Sequence, residues 1–431
     1  METPFGPTER EDLATSVPTP ASSRVTSIDA IRGLVMFTMI FVNDIAGASD
    51  QIVPAWMRHY HGPDGMTFVD LVFPAFLFIV GMSIPFAFDA RIGRGEPWWK
   101  CLGHVVARTL ALLFIGVLMV NESPDASRMG WSASLWCTLM YLSAILWLSS
   151  ISPMRGKGAL ADRRRIFDTV SRGLRAVGFV CLAWLAFAWR GEGGRRIISL
   201  SPFAINTEWW GILGLIGWAY LVSAVVFLLF RTRSTALLGC MVLLMCLYPA
   251  SRTGAFDHFF LARYVGIGET LGSQAAISVG GMLLACVPIN PDLRDKRSLV
   301  GFTVLFIVGC SAGALLLDGL YGINKNAATP SWCLWACAIT AAIWLLLHLL
   351  CLTGAGRLLA TPLSVAGRNV LLAYLLSNVL WFVLDLLSLS DWYGRLAEPH
   401  LANAVARSAG VAVVLLSFSV VLNRLGFRLK L

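Results

Sequence analysis

The sequence predicts an all-α polytopic membrane protein with about 11–12 transmembrane helices, and three observations support this class. Of its 431 residues, 57% are hydrophobic and only 14% are charged, and the mean hydropathy is +0.71. Such a composition lies outside the range of soluble globular chains. Apolar runs recur along the chain at lengths that suit a ~30 Å hydrocarbon core. Basic residues also fall unevenly between these runs.

Twelve apolar segments are candidate spans, and the fifth and seventh are the shortest. In chain order they are 31–48, 67–90, 101–120, 132–152, 174–189, 209–230, 235–249, 270–289, 298–317, 332–352, 367–388 and 402–423. The longest connection, about 153–173, is too short to bury a core of its own. We therefore expect one transmembrane domain over 27–431. Residues 1–26, rich in Pro, Ser and Thr, predict a disordered cytoplasmic tail and not a signal peptide.

The charge pattern predicts that both termini are cytoplasmic. With the N-terminus inside, about two thirds of the 34 lysines and arginines fall on the cytoplasmic side, as the positive-inside rule requires. The densest basic cluster, Arg155 to Arg175, lies between two spans and has no interleaved aromatics, so it indicates topology and contact with anionic lipid. The net charge of +9 therefore does not predict a nucleic-acid partner.

Cysteine and glycine spacing are best explained by packing. Nearly all ten cysteines lie inside apolar runs, which argues against a disulfide framework. Cys333 and Cys337 lack a nearby partner to complete a metal site, so no metal is expected. Gly309 and Gly313 have a spacing that predicts close approach of a neighbouring helix.

The hairpin from Asn43 to Pro85 has the highest density of polar groups near predicted spans. Its loop carries His59 and His61, and Asp70 begins the second span. A histidine there can act as a general base or carry an acyl group, Asn43 can donate to an oxyanion, and Asp70 can orient an imidazole. The structural alternative is a solvated loop with a first-turn acid that stabilises the helix dipole. Polar groups inside a membrane protein favour a functional site.

Three charged residues lie near the predicted cytoplasmic ends of the first and third spans. Asp29 and Arg32, three residues apart, are explained equally well by a local ion pair and by an anion site, because arginine suits phosphate. Arg108 is placed either to contact a cytoplasmic phosphate or to snorkel to lipid headgroups.

Several motifs resemble the heparan-alpha-glucosaminide N-acetyltransferase family. They are SIDAIRG at 27–33, FVN at 41–43, GMTFVDLVFP at 65–74 and FIVG at 78–81. Looser likeness extends to EWWGILGLIGWAYL at 208–221 and to GRN at 367–369 with Tyr374. The resemblance implies a bacterial homologue, a membrane enzyme that passes the acetyl group of cytosolic acetyl-CoA to an amino sugar or glycan across the membrane.

The same resemblance implies roles for individual residues. His59, after Trp56 and Arg58, matches the context of the family's catalytic histidine best, and His61 is the alternative. Asn43 would steady the oxyanion or the imidazole, and Asp70 would orient the site. Arg32 with Asp29, and Arg108, would meet the phosphates of CoA.

The expected partners and location follow from this assignment. They are acetyl-CoA as co-substrate, the glycan acceptor and membrane lipid, with a homodimer as one assembly open to the chain and the bacterial inner membrane as its site. Two other functions suit the same spans, a secondary transporter and a glycan exporter without catalysis. Transporters tend to contain related halves, and the sequence shows no internal repeat.

Overall fold

The computed structural model describes residues 20–152, 160–200, 203–205, 209–287 and 296–430. Over these residues the chain is almost entirely helical, with short 3₁₀ turns, one π-helix and two small two-stranded sheets. Most of the predicted tail, up to residue 19, lies outside the described residues. From Pro20 the chain is already part of the first helix.

The helices of the N-terminal half are α1 (Pro20–Ile45), α2 (Val72–Ile92), α3 (Trp98–Met119), α4 (Ala126–Met129), α5 (Ala133–Leu148), α6 (Leu160–Ala188) and α7 (Gly211–Phe230). The helices of the C-terminal half are α8 (Ser234–Arg252), α9 (Ala275–Cys286), α10 (Lys296–Tyr321), α11 (Pro330–Leu352), α12 (Gly354–Ala366), α13 (Val370–Leu386), α14 (Ser390–Arg395) and α15 (Leu401–Arg424). The 3₁₀ helices are Ala55–Met57, Phe68–Leu71, Glu192–Gly194 and Phe260–Arg263, and the π-helix is Ile267–Gln274.

The strands are β1 (Ser149–Ile151), β2 (Ile198–Leu200), β3 (Phe203–Ile205) and β4 (Phe427–Leu429). β1 pairs antiparallel with β4, with Ser150 opposite Arg428, and β2 pairs antiparallel with β3. The first pair ties the end of the chain to the segment that follows α5.

The predicted class is confirmed, since the protein is an all-α polytopic membrane protein. By length and composition, eight helices of the described part of the chain can cross a membrane: Phe68–Ile92, Trp98–Met119, Arg165–Ala188, Gly211–Phe230, Ser234–Arg252, Arg297–Tyr321, Pro330–Leu352 and Leu401–Arg424. The count rises to nine if α12 and α13, bent by 63°, form one broken span. All twelve predicted segments coincide with helical structure.

Three of the twelve predicted segments, those on α1, α5 and α9, are helical but fall outside the nine. α1 has 26 residues but carries Asp29, Arg32 and Asp44, α5 has 16 residues, and α9 has 12 and directly continues the π-helix. A helix needs about 20 residues to cross the hydrocarbon core. That these three cross the membrane therefore stays a prediction, as does the cytoplasmic location of the termini.

α1 is a central helix, and it packs against α2, α11, α12, α13 and α15. Its contact with α12 is close because both helices present glycine there. A Cβ on Gly33 would lie 2.0 Å from the Leu363 carbonyl oxygen, and one on Gly367 would lie 1.9 Å from the Asp29 carbonyl oxygen. Small residues permit such backbone contact between membrane helices. This contact holds the GRN motif at 367–369 beside the start of α1.

Candidate active site

A local turn at the start of α2 places Asp70 beside the loop that joins α1 to α2. Phe68–Leu71 form a 3₁₀ helix, and the Thr67 N–H donates to Asp70 Oδ2 at 3.1 Å. The Thr67 hydroxyl donates to the carbonyl oxygen of Arg58 at 2.7 Å. A T-x-x-D sequence favours this return contact, because the acid accepts from the N–H three residues earlier. The turn therefore holds the backbone immediately before His59.

His59 and Asp70 form a hydrogen-bonded pair, with His59 Nδ1 2.8 Å from Asp70 Oδ1. The Asp70 side chain is 1% exposed and that of His59 is 40% exposed. Asp70 Oδ2 also accepts from the Tyr60 N–H at 3.1 Å. Because an ionised carboxylate only accepts hydrogen bonds, Nδ1 donates to Asp70, and in the neutral ring Nε2 is then the nitrogen with the free lone pair. This is the arrangement in which an aspartate orients a histidine base.

Lys325 completes the site, and the sequence analysis did not identify it. Its Nζ lies 3.0 Å from Asp70 Oδ1 and 2.9 Å from His59 Nδ1. Because a protonated Nδ1 has no lone pair, the ammonium donates to the carboxylate alone, and its approach to Nδ1 is a contact between two donors that share Asp70 Oδ1. A buried carboxylate thus has a cation and a histidine on one oxygen and two backbone N–H groups on the other, which satisfies it fully.

Lys325 lies in the loop between α10 and α11. This loop is hydrogen-bonded to the α1–α2 loop that carries His59. The Gly65 N–H donates to the Ile323 carbonyl at 2.8 Å, and the Ile323 N–H donates to Asp64 Oδ1 at 2.7 Å. Asn324 donates from its side chain to the carbonyl oxygen of Pro63 at 3.1 Å. The sequence signal was slight, a single lysine in a short polar loop. Its 266-residue separation from His59 hid the contact.

The structure does not bring Asn43 or His61 to the pair. Asn43 lines a separate cavity of about 230 Å³ with Asn378 and Trp381. Among the residues described, no hydrogen bond joins Asn43 to His59 or Asp70. His61 is exposed and makes no hydrogen bond within the described ranges. The catalytic roles of Asn43 and His61 remain predictions.

Beside Asn43, the end of α1 is held by a buried ionic cluster around Asp44. Arg407 Nε lies 3.1 Å from Asp44 Oδ2, and Arg407 also donates to the Asp44 carbonyl oxygen at 2.9 Å. Ser408 donates to Asp44 Oδ2 at 2.6 Å, and the Tyr393 hydroxyl donates to Oδ1. The guanidinium stacks over the Tyr393 ring at 4.6 Å. The cluster joins α1, α14 and α15, so its clearest role is structural.

A cavity of about 490 Å³, which we call the cationic cavity, lies at the opposite end of α1 and α2 from His59. Five basic side chains line it, and they are Arg32, Arg91, Arg108, Arg368 and Lys430. Its deeper wall is apolar and includes Met39 of α1 and Phe76 of α2. Since Lys430 and Arg32 line the same cavity, the C-terminal strand and the first turns of α1 lie at one end of the bundle.

Asp29 and Arg32 lie at this cavity in an arrangement that suits both interpretations, an ion pair and an anion site. Arg32 Nη1 donates to Asp29 Oδ1 at 2.7 Å, which is the predicted ion pair, and Nη2 donates to the Ser83 hydroxyl at 2.8 Å. Arg32 also lines the cavity, whereas Asp29 does not line it and contacts the Arg32 side chain. Arg108 stacks over Tyr220 at 4.5 Å, and its buried Nε has no hydrogen-bond partner. An unpaired buried donor in a basic cavity suits an anionic ligand.

The cationic cavity extends toward the histidine site along α2. From Arg91 to Phe76 the helix rises about 22 Å, and from Phe76 to Asp70 only about 9 Å more, at 1.5 Å per residue. The cavity thus follows most of α2 and ends about 9 Å of helix rise before Asp70.

The fold and this site define an integral membrane protein with a His–Asp–Lys cluster around a buried aspartate at one end of a helix pair and a basic cavity at the other. Residues 24–157 match a family described as a domain of unknown function, DUF5009. The chain is also 34% identical over 111 residues to heparan-alpha-glucosaminide N-acetyltransferase of Mus musculus, covering 26% of this chain and 16% of that protein. The Homo sapiens protein of the same name is 32% identical over 108 residues, 25% of this chain and 15% of its own. The chain thus spans about a sixth of the length of these curated relatives, and part of it is related to their family.

Proposed function

We propose that the protein is a membrane-bound acetyltransferase that moves the acetyl group of cytosolic acetyl-CoA to an amino sugar or glycan on the other side of the bacterial inner membrane. The observation that carries the proposal is the exposed His59 ring held at 2.8 Å by the buried Asp70 carboxylate. The pair lies within the segment that matches the family of unknown function. The partial likeness to two N-acetyltransferases supports the reaction class.

The cationic cavity is the proposed site for acetyl-CoA. Arg32, Arg108 and the three other cations suit the phosphates of CoA, because guanidinium groups bind phosphate oxygens in a bidentate way. The apolar inner wall suits the pantetheine arm, which would carry the thioester toward His59. Basic residues concentrate on the cytoplasmic side of membrane proteins, which agrees with a cytosolic donor.

The geometry supports two routes for the transfer. In the direct route the acceptor amine attacks the thioester carbonyl, a C–N bond forms, the C–S bond breaks, and the amine proton passes to His59 Nε2 and then to the CoA thiolate. In the covalent route Nε2 attacks the thioester carbonyl first, an N–C bond forms, the C–S bond breaks and CoA leaves as the thiolate. The amine then attacks the acetyl group, a C–N bond forms, the bond to Nε2 breaks, and the amine proton passes to the released imidazole or to the thiolate. Both routes need an unprotonated Nε2, and donation from Nδ1 to Asp70 supports the tautomer in which Nε2 is the free nitrogen.

The proposal is tested by turnover in lipid nanodiscs with labelled acetyl-CoA and methyl β-glucosaminide. His59→Ala should lower kcat at least 100-fold, since general acid–base catalysis typically contributes 10²–10⁴. His61→Ala is the matched control, because His61 is exposed and lies two residues away, and it should stay within twofold of the wild type. Equal rates in the wild type and His59→Ala would exclude the proposed role of His59.

A ligand-binding measurement separates an enzyme from the transporter and exporter alternatives. A ligand that binds only the folded state raises its stability, by about 2.7 kcal/mol at 100 times Kd. Acetyl-CoA should therefore raise the Tm of the purified protein, and CoA should do so as well, whereas a carrier of sugars has no reason to respond to either compound.

A further inference from the structure

A second cavity of about 520 Å³, here named the apolar groove, lies between α8 and α10. α8 packs on α9 and α10 packs on α11, while α8 and α10 face each other across the groove. Its lining is almost wholly hydrocarbon and sulfur, with Leu238 and Val242 of α8 opposite Leu305 and Leu317 of α10. Both helices are long and apolar enough to span the membrane. Lipid hydrocarbon is therefore the medium that adjoins the groove.

The groove follows most of the length of α10. Its lining residues on this helix run from Phe302 to Tyr321, a rise of about 28 Å, which is nearly the thickness of the hydrocarbon core. Leu238, Val242 and Leu305 are also substantially exposed. A long chain can thus enter sideways from the bilayer and lie along the helix.

Gly309 is the reason that the groove is open at its middle. The spacing of Gly309 and Gly313 predicted close helix packing, but a Cβ on Gly309 would meet nothing within 4 Å. Gly313 differs, since a Cβ there would lie 3.2 Å from a methyl group of Leu334. Gly309 thus leaves space in the groove and does not bring a neighbouring helix into close contact.

One end of the groove meets the histidine site. Tyr321 and Pro330, which flank the α10–α11 loop, both line the groove. The middle of that same loop carries Lys325, which contacts Asp70 and His59. Tyr321 and Lys325 are four residues apart, at most about 14 Å of chain. A chain in the groove therefore ends within reach of the proposed catalytic histidine.

We infer that the acceptor is lipid-linked: an amino sugar joined to a long acyl or isoprenoid chain, with the chain in the apolar groove and the sugar at His59. This inference rests on the proposed function and names its substrate class. The groove supplies the position, because a tail held along α10 restricts the sugar to the membrane surface beside Lys325. The chain also anchors the acceptor in the membrane, because transfer of each methylene from water to hydrocarbon contributes about 0.8 kcal/mol.

The test compares methyl and dodecyl β-glucosaminide as acceptors in nanodiscs, with labelled acetyl-CoA. The wild type should show a kcat/KM at least tenfold higher for the dodecyl compound. Gly309→Leu fills the groove and should reduce this ratio to about one, while turnover of the methyl compound stays within twofold. Gly319→Leu is the matched control, since a Cβ on Gly319 also meets nothing within 4 Å and Gly319 does not line the groove. It should keep the tenfold ratio.

A photoreactive dodecyl glucosaminide gives a readout that does not require turnover. Crosslinks should map to α10 between Leu305 and Leu317, be lost in Gly309→Leu and resist excess phospholipid. A ratio near one in the wild type, equal losses for both acceptors in Gly309→Leu, or crosslinks that phospholipid removes would overturn the inference. If neither acceptor is acetylated, the proposed function fails, and the crosslinks still decide whether a sugar-linked chain occupies the groove.

Discussion

Replacing Asp70 with asparagine tests the histidine site most directly. The carboxylate accepts from His59 and Lys325 on one oxygen and from the Tyr60 and Thr67 N–H groups on the other. Asparagine keeps one accepting oxygen and adds an NH₂ group that only donates. The two backbone donors cannot move away, so the remaining oxygen faces them and the NH₂ group faces His59 Nδ1 and the Lys325 ammonium.

The imidazole must then accept at Nδ1, which moves its proton to Nε2 and removes the basic nitrogen. A wrong histidine tautomer of this kind lowers kcat about 10⁴-fold in the serine protease triad, which corresponds to about 5.5 kcal/mol at 1.36 kcal/mol per tenfold. We expect a loss of 10³–10⁴ here. Lys325 also loses its carboxylate partner, and the lost charge-assisted hydrogen bond should lower stability by about 1.5–3 kcal/mol.

The assay is single-turnover acetyl transfer, paired with thermal unfolding of each variant. Asp64→Asn is the matched control, because Asp64 lies in the same loop, accepts from the Ile323 N–H and makes no hydrogen bond to His59 in the described structure. It should retain kcat within a few-fold. A folded Asp70→Asn protein with wild-type kcat would refute the tautomer argument.

Three further predictions follow from the contacts. Lys325→Met should lower kcat about tenfold and leave the KM for acetyl-CoA unchanged, because it removes one charged hydrogen bond that fixes Asp70. A change confined to the KM for acetyl-CoA would contradict the role of Lys325 in positioning Asp70. Arg108→Gln should raise the KM for acetyl-CoA about tenfold with kcat within twofold, as expected for loss of a phosphate contact, and steady-state kinetics would show it. Arg407→Ala should lower the free energy of unfolding by about 3–5 kcal/mol, because it leaves the buried Asp44 carboxylate without its cation. Ser408→Ala removes only one neutral donor and should lower the free energy of unfolding by about 1 kcal/mol. An Arg407→Ala Tm equal to that of the wild type would show that the buried pair contributes nothing to stability.

The distance along the chain separates the site residues that could be predicted from those that could not. His59 and Asp70 are 11 residues apart, and the T-x-x-D turn that joins them is a local preference readable from residue types. Asn43 lies near the end of the preceding helix, which predicts a place beside the pair, yet it lines another cavity. A helical period tells which residues share a face and does not tell which neighbour that face meets.

The membrane class, the twelve helical segments and the His59–Asp70 pair can be predicted from the chain alone, since hydropathy, span length and turn chemistry are properties of short stretches. Three features become visible only once the helices are packed: Lys325 joins the pair, Arg32 and Arg108 line one cavity, and Gly309 lines an open groove instead of a close helix contact. Each of these depends on which helices become neighbours. That choice is made by packing across hundreds of residues, where no local pattern in the chain carries the information.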